Sequence, residues 1–185
     1  KLKFLRSLVS GVEKYFKGSI DILVNNSGGP PPGEGISITD KEWKKAIDSN
    51  LLSVIRLSSL VLPSMKEKKW GRIINLTSTG AKEPGANMSL SNVTRAGVAA
   101  FSKTLSQEIG INGITVNTIL TGGCLTERFY SLLKKQVKKN SETLEESVQR
   151  LAKNVPVGYF SAPEEFAQIV LFLASEEAGY ITGTS

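Results

Sequence analysis

The chain has 185 residues, 40% hydrophobic and 22% charged, which suits one domain with a buried core and argues against wholesale disorder. Its net charge is +6, yet the lysines are spread along the chain and the densest cluster, residues 134–139, has no interleaved aromatic, so it reads as a solvated helix face and not as a nucleic-acid surface. With no histidine and one cysteine, Cys124, an internal disulfide framework and histidine-based triads are excluded, and the usual zinc ligand sets are missing.

Residues 4–16 place Phe4, Leu8, Val12 and Phe16 at four-residue steps, with Leu5 and Tyr15 beside them, which predicts an amphipathic helix ended at Lys17-Gly18. Residues 20–24 form a short apolar, β-branched run, the mark of a buried parallel strand. A loop rich in Gly and Pro follows at 28–35. Thr39 and Glu42 then fit a capping box, opening a long helix to about Lys68 with Pro63 as its expected kink.

A second strand is predicted over 72–76, a helix over 88–109 and a third strand over 114–120. Beyond it lies a charged insertion, 124–155. There Leu144, Val148, Leu151 and Val155 share a helical face, and Leu132, Leu133 and Val137 suggest a shorter helix before it. A last helix begins near Pro163, a favoured first-turn residue, and runs to about Ser175. No apolar run approaches ~18 residues, so no membrane span is expected. No compact hydrophobic stretch or small-residue cleavage site follows the first residues, and a cytoplasmic, reducing location is the expectation.

Strands alternating with helices predict an α/β fold with a parallel sheet, in which ligands sit beyond the carboxyl ends of the strands. The three ends, Asn25-Asn26-Ser27-Gly28, Thr77-Ser78-Thr79-Gly80 and Thr121-Gly122-Gly123-Cys124, are all small and polar, so a bound molecule can approach the backbone closely.

Several segments carry a family resemblance. Asp21-Ile22-Leu23-Val24-Asn25-Asn26-Ser27-Gly28 resembles the Asn-Asn-Ala-Gly segment of short-chain dehydrogenases, with Ser27 for alanine. Gly71-Arg72-Ile73-Ile74-Asn75-Leu76-Thr77-Ser78 resembles the strand ending in their catalytic serine, and Gly113-Ile114-Thr115-Val116-Asn117 the strand leading to their Pro-Gly turn. Pro163-Glu164-Glu165, Phe172-Leu173-Ala174-Ser175 and Tyr180-Ile181-Thr182-Gly183 resemble their C-terminal helix and final loop. The chain is similar to 3-oxoacyl-carrier-protein reductase-like members of that family.

The resemblance implies a Rossmann-like, doubly wound parallel sheet in three α/β/α layers, incomplete at its N-terminal half, forming one domain over residues 1–185 with 124–155 as a helical substrate lid. It implies NAD or NADP as cofactor and a small carbonyl or alcohol substrate. It further implies a homodimer or homotetramer through the helices at 39–68 and 88–109, where Ala96, Gly97, Ala99 and Ala100 would allow close approach or simply close packing on the sheet. Neither nucleic acid nor membrane is an expected partner. By position, Asn50 would hold a proton-relay water and Ser78 would hydrogen-bond the substrate oxygen. Asn25, Asn26, Ser27, Gly28, Thr121, Gly122, Cys124 and Thr126 would line the nicotinamide side of the cofactor.

Two departures qualify that picture. Thirteen residues after Ser78, where the family has its tyrosine acid, stands Ser91, and four residues later Arg95 replaces the lysine. An aliphatic hydroxyl needs a neighbouring base for activation, and a guanidinium does not release its proton. Arg95 can still fork onto ribose hydroxyls or a phosphate. Tyr15, Tyr159 and Tyr180 are remote in sequence from Ser91, while Tyr130 lies on the insertion. The opening strand, Gly-rich turn, helix and strand that bind the adenosine half are absent from this sequence, because 28–35 carries three consecutive prolines that have no N–H for a phosphate. Either a fragment of a longer protein or a truncated relative fits this, and the fragment is the expectation. Two readings stay open: a reductase or dehydrogenase with Asn50, Ser78, Ser91 and Arg95 at its centre, or a non-catalytic nucleotide-binding or scaffold protein on the same fold.

Overall fold

A computed structural model describes every residue except Ser141, and every side chain except those of residues 135, 136 and 138–141. The solvated face expected for residues 134–139 thus lies largely outside the described residues. Two compact units divide the chain: Lys1–Thr121 with Phe172–Ser185, and Gly122–Leu171.

In the first unit three strands, β1 (Ile22–Asn25), β2 (Gly71–Leu76) and β3 (Ile114–Ile119), form a parallel sheet in the order β1-β2-β3. Ile22 stands beside Arg72 and Asn25 beside Asn75; Gly71 stands beside Ile114 and Leu76 beside Ile119. Side chains alternate between faces along a strand. Leu23 and Ile73 therefore point with Ile114 and Val116 toward the core formed with Val61, Met65, Leu105 and Ile109.

Those last four residues belong to α3 (Leu52–Lys68) and α4 (Ser89–Ile109). Before them come α1 (Leu2–Phe16) and α2 (Asp40–Ala46). The inward seam of α1 is Val9, which is buried, with Leu5 and Val12 half-buried beside it, whereas Phe4, Leu8 and Phe16 of the expected stripe are exposed. The Thr39 capping box forms: the Glu42 N–H donates to Thr39 Oγ1 and the Thr39 N–H to Glu42 Oε2.

The long helix is interrupted, but not at Pro63, which lies inside α3. The break is a π-helical turn at Ile47–Leu51, joining α2 to α3. By length and composition the run Asp40–Lys68 passes as a membrane-crossing helix. Here its apolar residues Val54, Val61 and Met65 are buried in the protein core instead.

The free edge of β3 is lined by the C-terminal segment. Gly183 N–H donates to Val116 O, Thr118 N–H to Thr184 O, and Asn117 Nδ2 to Ile181 O. At β1, Ile22 and Val24 are 45% and 41% exposed.

In the second unit, α5 (Glu127–Asn140) and α6 (Leu144–Ala152) pack against each other, α5 being the longer of the two, contrary to the pattern expected from sequence. The apolar run Leu132, Leu133 and Val137 covers only its middle. Thr143 and Glu146 cap α6, Glu142 pairs with Arg150, and Cys124 bridges to Ser161. Phe129 and Phe160 lie 4.8 Å apart, with Gly123 against the Phe160 ring. After them, α7 (Pro163–Ala174) follows the expected bounds.

Candidate active site

Helix α4 is the element on which the predicted catalytic positions meet. Ser91, Arg95, Val98 and Ser102 follow at helical spacing and are all buried. Two neighbours rest on this helix. The π turn carrying Asn50 packs on it at Gly97, where a Cβ would come within 3.1 Å of Leu51 Cδ2. The turn Thr79–Ala81 packs on it at Gly80, where a Cβ would fall 2.6 Å from Asn92 Oδ1. Gly97 thus serves packing within the chain, while Ala96 and Ala100 are exposed.

Ser78 leaves β2 in extended backbone and accepts a 3.3 Å hydrogen bond at Oγ from the Gly80 N–H. That bond orients the hydroxyl and leaves its proton available for donation. Asn50 is 2% exposed, and among the described residues its side chain has no hydrogen-bond partner. A π turn shifts backbone pairing from i−4 to i−5 and is recurrent at functional sites. It turns a polar side chain inward from a helix whose interior would otherwise disfavour asparagine.

Arg95 is 7% exposed. Its Nη1 donates to Leu76 O at 2.9 Å and its Nη2 to Ser27 O at 2.8 Å. These bonds engage a side chain expected to reach a ribose. Ser91 is 8% exposed, and its carbonyl accepts from Thr94 Oγ1.

Of the nicotinamide-side residues, Asn25 is buried and gives its amide to Asn75 Oδ1 at 2.8 Å. Asn26 and Gly28 are exposed, and a Cβ on Gly28 would meet nothing within 4 Å. Ser27 Oγ is buried without a hydrogen-bond partner among the described residues. The Thr121 carbonyl accepts from the Thr79 N–H at 3.2 Å, extending the β2–β3 pairing begun beyond the strands by Thr77 N–H to Ile119 O. Gly122, Cys124 and Thr126 belong to the second unit. There Thr126 Oγ1 donates to Cys124 O and accepts from the Phe129 N–H at the start of α5.

Sequence reasoning missed Asn75 and Ser102. Asn75 passes its amide to Ser102 Oγ at 2.7 Å, and Ser102 donates to Val98 O. A fully buried asparagine within the apolar run Ile73-Ile74-Asn75-Leu76 was the available signal, since buried amides require partners. The loop 28–35 also has a structural role, since the Gly33 N–H donates to Asn87 O and ties the loop to the residues before α4.

Asn26 and Gly28 are exposed and the space above Gly28 is open, which leaves room for a bound molecule at this strand end.

Comparison with known proteins gives concordant results. Residues 2–185 match a family described as enoyl-(acyl carrier protein) reductase. The 3-oxoacyl-[acyl-carrier-protein] reductase FabG of Haemophilus influenzae is 35% identical over 181 residues, 98% of this chain and 70% of that protein. The acetoacetyl-CoA reductase of Shinella zoogloeoides is 33% identical over 91% of this chain and 66% of its own length. The chain thus spans about two thirds of these relatives. Among solved structures, an actinorhodin polyketide ketoreductase with NADPH matches at TM-score 0.91 and 31% identity, covering 100% of this chain and 71% of that one. The L-sorbose reductase of Gluconobacter frateurii, complexed with NADPH and L-sorbose, matches at 0.92 and 31%, covering 100% and 70%.

Proposed function

The chain belongs to the short-chain dehydrogenase/reductase family of NAD(P)-linked oxidoreductases, and from that premise we propose that it forms the nicotinamide and substrate side of an NADPH-dependent carbonyl reductase. One observation carries the reading: the elements bearing Asn50 and Ser78 both pack on the helix that bears Ser91 and Arg95.

When bound, NADPH would supply the hydride for reduction of a carbonyl carbon. Asn26, Ser27 and Gly28, with Thr121, would hold its nicotinamide end. Ser78, oriented by the Gly80 N–H, donates its hydroxyl proton in a hydrogen bond to the substrate oxygen and stabilises the developing alkoxide. Ser91 is not the proton source in this reading, because an aliphatic hydroxyl is much harder to ionise than a phenol. The proton would come instead from bulk solvent, relayed through water held at Asn50, so that the alcohol is the product and no hydroxide is left in the site. The substrates reduced by the relatives suggest a 3-oxoacyl thioester or a ketose. The same reading carries a cytoplasmic location, and a homodimer or homotetramer on α2–α3 and α4, where Val93 is 52% exposed beside exposed Ala96 and Ala100.

The test is NADPH oxidation by the full-length protein with acetoacetyl-CoA and with sorbose. Turnover with either supports the proposal. NADPH binding without turnover on a wider ketone panel would favour the non-catalytic reading, for which the missing tyrosine acid is the motive. Binding of neither nicotinamide nucleotide would overturn both.

A further inference from the structure

Where a parallel pair of strands separates, the last carbonyls lose their ladder partners, and buried carbonyls must find donors elsewhere. β1 and β2 separate at this site. Their register pairing ends at Asn25 and Asn75. Past that point Leu76 O and Ser27 O are joined through one side chain, the guanidinium of Arg95. β2 and β3 need no such bridge, because backbone N–H groups of Thr77 and Thr79 continue their pairing.

We propose that Arg95 is a positioning residue that clamps the two strand exits and so fixes the nicotinamide-side loop, residues 26–28, relative to Ser78. The inference rests on the functional reading of those two segments. A planar guanidinium presents two terminal nitrogens in a rigid fork and can serve two carbonyls at once; an ammonium is a single point. Both bonds are charge-assisted, which offsets the cost of holding the cation largely out of water. The helix bearing the clamp is anchored independently by Ser102 through Asn75. Loss of the clamp is therefore expected to loosen the two loops and leave α4 in place. Ser78 lies two residues beyond one clamped carbonyl, and Gly28 directly follows the other, so each loop is held at its root.

The test uses full-length protein carrying Arg95→Lys or Arg95→Met. In the absence of nucleotide, amide hydrogen exchange over 26–29 and 77–80 is expected to quicken about tenfold in both variants, with 102–109 unchanged. At saturating NADPH, kcat of Arg95→Lys is expected to fall on the order of a hundredfold, the scale set by about 1 Å of misplacement, with KM for NADPH nearly unchanged. Unchanged exchange with a raised KM for NADPH would make Arg95 a nucleotide ligand only and overturn the clamp. Faster exchange spreading to 102–109 would reduce it to a general stabilising residue and also overturn it. Should Arg95→Met fail to fold, the lysine variant and the wild type decide: ligand-free wild type is expected to show resolved Arg95 Nη resonances protected from water, and freely averaged ones would refute the clamp. The exchange and resonance measurements need no substrate, so a wild type without turnover would sink the reductase reading while leaving this inference to be judged separately.

Discussion

Asn25 donates its side-chain amide to Oδ1 of Asn75 at 2.8 Å, across the last register pair of β1 and β2. Asn75 in turn donates to Ser102, so a buried polar chain joins two strand tips to the middle of α4. Replacing Asn75 by leucine leaves the Asn25 amide without its acceptor and removes the donor to Ser102. Each buried polar group left unmatched costs about 1–3 kcal/mol. Asn75→Leu is expected to lose about 3 kcal/mol in urea denaturation, and a loss near zero would show that water or repacking replaces the chain.

Gly113 precedes β3 with φ +71°, and a Cβ there would fall 2.3 Å from the carbonyl oxygen of Lys69. Both the left-handed backbone and the contact with backbone forbid a side chain. Gly113→Ala is expected to destabilise by about 2 kcal/mol or more. Thermal unfolding of purified protein reports it, and an unchanged midpoint would contradict the geometry.

Ser78→Ala is expected to lower kcat on the order of a hundredfold while the NADPH dissociation constant stays the same. Equal losses in nucleotide binding would move Ser78 from substrate contact to loop structure. Because Asn50, Ser78, Ser91 and Arg95 carry no group that ordinarily titrates between about pH 6 and 9, kcat/KM is expected to be nearly flat over that range. A single step near neutrality would reveal an acid outside this set.

Asp48 lies in the π turn, and hydrogen bonds from Lys1 and Arg56 hold its carboxyl below the ordinary aspartate value. A lowered native value means that the unfolded chain binds the proton more readily. The resulting stability is fully present above the unfolded value near ~3.9 and is lost as pH falls through the lower native one. For a partly exposed pair it amounts to no more than about 1 kcal/mol. Asp48→Asn is expected to remove that part of the acid dependence in denaturation at pH 2 to 5. An identical slope would show that other carboxylates account for it.

The regular elements were legible because their signals are local. β-branched runs bounded by turns marked β2 and β3 to within a residue, and the Thr39–Glu42 box marked the start of α2. The break in the long helix was not legible. Proline is the familiar cause of a kink, but α3 runs through Pro63, and the π turn at Ile47–Leu51 carries no proline or glycine to announce it. The stripe on α1 was misread because four-residue steps describe one edge of the apolar face, whereas Leu5, Val9 and Val12 make the seam. At the site, the family resemblance, carried over position by position, named Ser78, Ser91 and Arg95. The partners of Arg95 are backbone oxygens 19 and 68 residues away, and no side-chain pattern encodes these.

A π turn is an α-helix with one residue too many. Removing a single residue from 47–51 would let the flanking helices fuse into one unbroken rod, and by local helix energetics alone that shortened sequence would be the more regular one. The flanking helices would keep nearly their present relative orientation, because a π turn absorbs its extra residue locally; what the deletion removes is the bulge itself. Asn50 or Leu51 would then leave the side that meets Gly97. Length at this point is thus constrained from opposite directions: regular helix geometry favours the shorter chain, and the shape of the neighbouring helix surface favours the longer.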